Sequence, residues 1–131
     1  MVEVRPTSSN EGSLNLRATV PGSIGTYMNA IFIREVGELY IMAYAVDLAL
    51  QGCRFSGKLF DATIQAATDH GDVRVIRGIP SGPNLEVLTG NDGRIVAENI
   101  ARTPWAKVLS DLGYDTILRE GLMESRRKDS I

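Results

Sequence analysis

The residues whose types and spacing could do chemistry are concentrated in one short segment, Gln51–Ser56, which reads Gln-Gly-Cys-Arg-Phe-Ser. It lies between an apolar run, Leu39–Val46, and a stretch with apolar residues at helical spacing, Phe55–His70. The first backbone N–H groups of a helix lack partners within the helix and carry the positive end of its dipole. Such a segment can bind an anion such as a pyrophosphate, and Gly52 would let the backbone approach it closely. A purely structural turn is the alternative interpretation.

The sequence before this segment predicts the strands of a sheet that would hold it in position. Leu14–Val20 alternates apolar and polar residues, which predicts a strand with one buried face. Two continuously apolar runs follow, Tyr27–Arg34 and Leu39–Val46, joined by a turn at Val36–Glu38. A continuous apolar run is typical of a strand covered on both faces, so Leu39–Val46 is predicted to lie centrally in the sheet.

A β-α-β unit is predicted next. Phe55–His70 is predicted to be a helix capped by Ser56, and Val73–Arg77 a short strand. A right-handed crossover then places Val73–Arg77 parallel to Leu39–Val46.

The segment 78–103 allows two interpretations after a loop at 78–83. Leu85–Leu88 and Arg94–Ala97 could form a hairpin around 89–93, or 94–101 could form a helix. Residues 7–12 are rich in Ser, Asn and Gly and are predicted to be a loop.

The C-terminal part gives clearer signals. Thr103 as cap and Pro104 as first helical residue predict a helix, which Gly113 ends. Tyr114–Arg119 is predicted to be a strand. The expected organisation is one domain over residues 1–121, with a poorly packed tail, 122–131, that has too few large apolar groups to offset the cost of ordering.

Composition excludes several classes of function. The 131 residues carry a formal net charge of −2, which gives no reason to expect nucleic acid as a partner. With one cysteine, Cys53, and one histidine, His70, neither an internal disulfide nor a Cys/His metal cluster can form. No apolar run is long enough to span a bilayer, so we expect a cytoplasmic protein without a membrane segment.

The segment Glu38–Ala62 resembles the strand–loop–helix of the GNAT family of N-acetyltransferases. In that family a strand ending in Val-Asp leads into a Gln/Arg-x-x-Gly-x-Gly/Ala turn, and the following helix ends near His-Gly. Val46-Asp47 and His70-Gly71 match the two ends.

Within the turn, the match departs from the family pattern. Gln51 falls on the Gln/Arg position and Gly52 on a frequent glycine, whereas Arg54 replaces the central glycine and Ser56 a Gly or Ala. Arg54 would either contact a phosphate or fill its place. The chain therefore resembles a degenerate family member.

A second segment, Pro104–Tyr114, is similar to the family helix that ends in Leu-Gly-Phe. The family often has a tyrosine four residues before that glycine, which protonates the departing thiolate. Leu109 occupies this position and has no proton to give.

The resemblance implies an α/β fold with a mixed, largely antiparallel central sheet, a β-α-β core and flanking helices. It implies acetyl-CoA as cosubstrate and direct transfer of an acetyl group to the amine of a small molecule or a protein. Glu38 or Tyr44, on the strand that faces the acceptor, could act as the base. The implied cofactor-binding residues are Ala45, Val46, Gln51, Gly52, Cys53, Arg54, Phe55 and Ser56.

The altered turn and Leu109 also fit an alternative function. The chain could be a catalytically inactive GNAT-like domain that serves as a structural or interaction protein, for example in a bacteriophage. A homo-oligomer, or incorporation into a larger assembly, is compatible with either function. The fold alone does not choose between them.

Overall fold

The computed structural model describes residues 2–47, 50 and 55–128, which divide into two compact units, Met1–Ile76 and Arg77–Ile131. A 3-10 helix at Ala97–Arg102 accompanies the main elements. Within the described residues these are β1 (Glu3–Asn10), β2 (Ser13–Val20), β3 (Ser23–Ile33), β4 (Glu38–Ala45), α1 (Phe55–Thr68), β5 (Val75–Gly78), α2 (Gly82–Thr89), α3 (Pro104–Asp111), β6 (Tyr114–Arg119) and β7 (Leu122–Arg127).

The first unit is built on a meander of consecutive strands. β1, β2, β3 and β4 pair antiparallel in chain order, and β5 follows β4 as its parallel neighbour. Both predictions for the apolar run Leu39–Val46 are confirmed, because β4 lies between β3 and β5 and is parallel to β5. The β-α-β unit has the predicted order.

One face of the meander packs against α1 and forms the core of this unit. β2 buries every second residue, as its alternation predicts. Each large apolar side chain removed from water here contributes about 1.5–3 kcal/mol. The buried residues of the strands and of α1 include Leu14, Leu16, Ala18, Met28, Phe32, Leu39, Ile41, Leu59, Phe60 and Ala67.

The N-terminal loop prediction is wrong. Residues 7–10 continue β1, and only Glu11 and Gly12 turn the chain into β2. The side chains of β1 are mostly exposed, so its sequence carries no apolar pattern. Its strand conformation comes from backbone pairing with β2, which runs from Glu3 opposite Thr19 to Asn10 opposite Ser13.

Gly37 fixes the point where β4 and β5 begin to pair. Its carbonyl oxygen accepts from the backbone N–H groups of Arg74, at 2.7 Å, and Val75, at 3.2 Å. Its φ of +69° favours glycine, and a Cβ atom there would lie 2.7 Å from the carbonyl oxygen of Asp72. Only glycine therefore allows this close approach.

In the second unit, β6 and β7 pair antiparallel, from Tyr114 opposite Arg127 to Arg119 opposite Leu122. The predicted helix cap is confirmed, since Thr103 Oγ1 accepts from Ala106 N at 3.1 Å. Trp105 is 1% exposed, and its Nε1 donates to Ser125 Oγ at 2.8 Å. This bond ties α3 to β7.

One of the two interpretations left open for the segment 78–103 is not realised. The suggested hairpin at Leu85–Leu88 and Arg94–Ala97 does not form, because residues 82–89 are helical and 97–102 form the 3-10 helix. The helical alternative for 94–101 is closer to the structure. Buried Asn84 stabilises α2 against α3, since its Oδ1 accepts from the backbone N–H of Trp105 at 2.9 Å.

The segment after Gly121 is also better packed than predicted. Residues 122–127 form β7, and Met123, Glu124 and Ser125 are buried. Cross-strand pairing with β6 orders the segment, so its few apolar residues suffice. The division into a domain of residues 1–121 and a tail of 122–131 stays a prediction.

The predicted fold class is confirmed: an α/β fold with a mixed, largely antiparallel sheet and a β-α-β core. Within the described residues, no helix is long and apolar enough to cross a membrane.

Candidate functional site

The central strand β4 contains a β-bulge. Asn29 of β3 lies opposite Ala43, whereas the next residue, Ala30, lies opposite Ile41. Met42 is therefore an extra residue without a partner in β3. A bulge of this kind interrupts the hydrogen-bond ladder and bends the strand.

The bulge reverses which residues of β4 face α1. Before it, Leu39 and Ile41 are buried against the core. After it, Tyr44 faces α1, and its ring packs edge-on against Phe60 with centroids 5.3 Å apart and planes at 66°. The extra residue therefore lets the tyrosine join the core side of the sheet.

The second half of β4 extends beyond the end of β5. The two strands begin level at Gly37, but β5 has four residues and β4 has eight. Met42 is 58% exposed and Ala43 is also exposed, although the run predicted complete burial. Met42 and Ala43 are therefore accessible at the point where the ladder between β3 and β4 is disrupted.

Thr26, a fully buried residue of β3, holds the chain at the end of β4 through hydrogen bonds. Its Oγ1 accepts from Asp47 N at 2.9 Å and from Ser23 Oγ at 2.8 Å. A Cβ on Gly25 would lie 3.3 Å from Asp47 Oδ2. These contacts hold the chain in place where it leaves the sheet for the predicted turn.

The start of α1 is suited to an anion. Phe55 and Ser56 are its first residues, so Ser56 is helical and not the predicted cap. The first turn contains no acidic residue, and the Lys58 Nζ lies 4.7 Å from the centroid of the Phe55 ring. A cation and free N–H groups together favour negative charge here.

Four of the predicted binding residues, Gln51, Gly52, Cys53 and Arg54, lie outside the described residues. Of the others, Ala45 ends β4, Val46 follows it, and Phe55 and Ser56 begin α1. Their role in binding stays a prediction.

The two predicted catalytic residues are not brought together. Glu38 begins β4 and Tyr44 is six residues further along it, about 20 Å away at about 3.3 Å per residue. Tyr44 lies in the bulged half and Glu38 does not. The position of the family's tyrosine, Leu109, is fully buried in α3.

Sequence reasoning missed Met42 and Thr26. A run that is apolar on both faces has no polar marker, so an added residue leaves no trace in the pattern. For Thr26, the sequence offers one indication: a Gly-Thr pair, Gly25-Thr26, directly before an apolar run. Among the described residues, no group of three or more His, Cys, Asp and Glu side chains could hold a metal ion.

Three solved structures are similar in fold. The ribosomal-protein-S18-alanine N-acetyltransferase of Escherichia coli matches with a TM-score of 0.58 at 13% identity, over 100% of this chain and 96% of that one. A PaiA N-acetyltransferase of Thermoplasma acidophilum, crystallised with coenzyme A, matches with 0.53 at 10% identity, over 88% of this chain. This chain spans 61% of that protein.

A GNAT-family acetyltransferase of Staphylococcus aureus matches with a TM-score of 0.51 at 13% identity, over 88% of this chain and 68% of that one. No protein-family model and no curated protein matches the chain. At these identities the likeness concerns the fold alone, and the chain has the fold of the GNAT N-acetyltransferases.

Proposed function

We propose that the chain binds acetyl-CoA along the second half of β4 and at the start of α1, and transfers the acetyl group to an amine. The observation that carries this proposal is the bulge at Met42, on the part of β4 that extends beyond β5. It combines an interrupted ladder with the exposure of Met42 and Ala43, on a strand whose other residues are buried or half-buried. The GNAT fold supports the proposal, and so does the similar protein crystallised with coenzyme A.

Binding would use main-chain groups for the most part. Ala45 and Val46 would pair with the amide-containing arm of the cosubstrate, as an added strand pairs with a sheet edge. The N–H groups of Phe55 and Ser56, with the Lys58 ammonium, would bind the pyrophosphate. The turn residues Gln51, Gly52, Cys53 and Arg54 would complete the site, as the resemblance implies.

The cosubstrate supplies an activated acyl group as a thioester. The amine nitrogen forms a bond to the carbonyl carbon, the carbon–sulfur bond breaks, and the amine loses one proton. A backbone N–H at Met42 or Ala43 would stabilise negative charge on the carbonyl oxygen, because the bulge interrupts the regular ladder there.

The proton of the amine would be removed at one of two places. Tyr44 is two residues from Met42, whereas Glu38 is four residues away, about 13 Å at about 3.3 Å per residue. Glu38 would therefore act only through intervening water. Leu109 contributes no proton to the departing thiolate.

Deleting Met42 tests the bulge directly. The deletion restores regular pairing and places Tyr44 two residues after Ile41, on the face that already contacts α1, so the core is retained. We expect acetyl transfer, measured as release of the CoA thiol with a panel of amines, to fall by at least about 100-fold, the size of one lost oxyanion donor. Met42→Ala, which keeps the bulge, should retain most activity.

Circular dichroism and thermal unfolding would verify that both variants fold. The proposal is contradicted if the deletion variant is folded and as active as Met42→Ala. It is also contradicted if calorimetry detects no CoA binding to the natural chain at millimolar ligand and no amine supports thiol release. The non-catalytic alternative would then be the better description.

A further inference from the structure

A row of side chains leads across the outer face of the first unit, the face of β1–β4 opposite α1, to the bulge. Arg5 of β1 lies directly opposite Arg17 of β2, Arg17 lies opposite Asn29 of β3, and Asn29 lies opposite Ala43 of β4. Directly opposite residues in an antiparallel pair point to the same face. The four side chains therefore form one line that ends beside Met42.

Arg17 is held in place by two neutral groups. Its Nη1 donates to Asn29 Oδ1 at 2.9 Å, and its guanidinium carbon lies 5.1 Å from the centroid of the Tyr27 ring. A planar guanidinium fixed by an amide and an aromatic face loses little freedom when it binds a ligand. Its position over β3 is set before any ligand arrives.

The charge of Arg17 is not neutralised within the described residues. It forms no ion pair there, while its neighbour Arg5 has a weak one, with Nη2 3.6 Å from Glu3 Oε2 and a side chain that is 79% exposed. Like charges directly opposite each other destabilise a sheet. An exposed, immobilised arginine beside a second arginine is an arrangement that an anionic ligand would stabilise.

The distance to the bulge fits a small molecule. Neighbouring strands lie about 4.8 Å apart, so a guanidinium over β3 is one strand spacing from Ala43. The α-amine and carboxylate of an amino acid are separated by a shorter distance than this. Arg17 can therefore bind the carboxylate while the amine reaches the bulge from the outer face, where its proton would go to Glu38 through water, because Tyr44 faces α1.

The outer face leaves room for such a ligand. Within the described residues of the first unit, α1 is the only α-helix, and it lies on the other face. Arg17 and Ala43 are both exposed, and Asn29 between them is half-buried. A ligand could therefore contact all three side chains from solvent.

We infer that Arg17, assisted by Arg5, is a specificity-determining residue that binds the carboxylate of the acceptor, and that the acceptor is an amine carrying a carboxylate close to its nitrogen. This inference rests on the proposed acetyl transfer at Met42. It narrows the acceptor class from amines in general to amino acids and compounds of the same chemistry.

The test compares amino acids with their amides as acceptors. Each of the twenty standard amino acids and its C-terminal amide would be assayed for release of the CoA thiol. We expect the preferred acceptor to be an acid, and Arg17→Gln to raise its KM about 10- to 100-fold with little change in kcat. The KM of the matched amide should not change with this substitution.

Arg34→Gln is the matched control, because it removes the same charge from an exposed position in the turn after β3. It should leave both KM values unchanged. An acid and an amide that are turned over with equal KM, or an equal effect of both substitutions, would overturn the inference.

An NMR titration separates this inference from the proposed function. The Arg17 Nε–H resonance should shift with glycine and not with glycinamide, in the absence of CoA. If it shifts and no amine supports thiol release, the carboxylate subsite stands and the acetyl transfer fails. If thiol is released while the resonance stays unmoved by glycine, acetyl transfer stands and the subsite is wrong.

Discussion

The two units use arginine in opposite ways. In the second unit, Arg77, Arg119 and Arg126 surround one carboxylate, Glu124, which is 1% exposed. Their nitrogens lie 3.0, 2.8 and 2.9 Å from its oxygens. In the first unit, Arg17 has an amide and an aromatic ring as partners and, in the part of the chain that the structure describes, no carboxylate. The first arrangement holds strands together, whereas the second leaves a charge available for a ligand.

The ionisation state of Glu124 depends on all three arginines around it. Burial alone would raise the pKa of Glu124, but hydrogen bonds from Arg77 and Arg126, with the charges of Arg119 and Arg77, outweigh it and hold the pKa below its usual value. The carboxylate is therefore kept ionised inside the protein. Removing it would leave three guanidinium groups without their shared counter-ion.

Glu124→Gln should have the largest effect on stability. We expect the free energy of unfolding to fall by about 3 kcal/mol, because the neutral amide loses the charge-assisted contacts with Arg77, Arg119 and Arg126 inside the protein. Urea denaturation would measure it, with Glu86→Gln on the exposed side of α2 as a control that should change stability by less than about 0.5 kcal/mol. A loss of similar size in both variants would show that the cluster has no special role.

Lowering the pH should also weaken the Glu124 cluster, with a smaller loss of stability than the Glu124→Gln substitution causes. Because the folded-state pKa of Glu124 is lowered, its contribution is fully present above the unfolded value of about 4.5 and is lost as the pH falls through the lowered value. The free energy of unfolding of the natural chain should therefore decrease more steeply below pH 4.5 than that of Glu124→Gln. Parallel pH profiles for the two proteins would contradict the lowered pKa.

Arg17→Gln should have the smallest effect on stability. We expect a change of less than about 0.5 kcal/mol, with a slight gain at low salt because repulsion from Arg5 is relieved. Arg77→Gln, which removes one of the hydrogen bonds to Glu124, should cost about 1 kcal/mol or more. If Arg17→Gln destabilised the protein as much as Arg77→Gln, then Arg17 would be a structural residue too.

The strands with a clear pattern were predictable from sequence. The alternation in Leu14–Val20, the apolar run of β4 and the Thr103-Pro104 start of α3 each express a local physical rule, and the structure follows all three. The errors occur where backbone pairing between distant segments decides the conformation. β1 and β7 have few apolar residues, and both are strands because a neighbouring strand supplies their hydrogen-bond partners.

The candidate site was predictable only in part. The order of strand, turn and helix indicates where an anion could bind, and the structure has Ala45 at the end of β4 and Phe55 and Ser56 at the start of α1. The bulge at Met42 depends on the register between β3 and β4, which a sequence apolar on both faces does not specify. The row of side chains from Arg5 to Ala43 depends on the registers of three strand pairs, β1–β2, β2–β3 and β3–β4, and therefore could not be predicted from the sequence.

The two-residue turn at Glu11–Gly12 has a consequence for how the protein folds. Because it joins β1 directly to β2, the first unit grows as a series of hairpins between neighbours in sequence, and contacts of this kind close quickly. The second unit differs, since its buried Glu124 must reach Arg77, which lies 47 residues earlier in the chain. We therefore expect the meander to form early and the closure of the Arg77–Glu124 contact to limit the folding of the second unit.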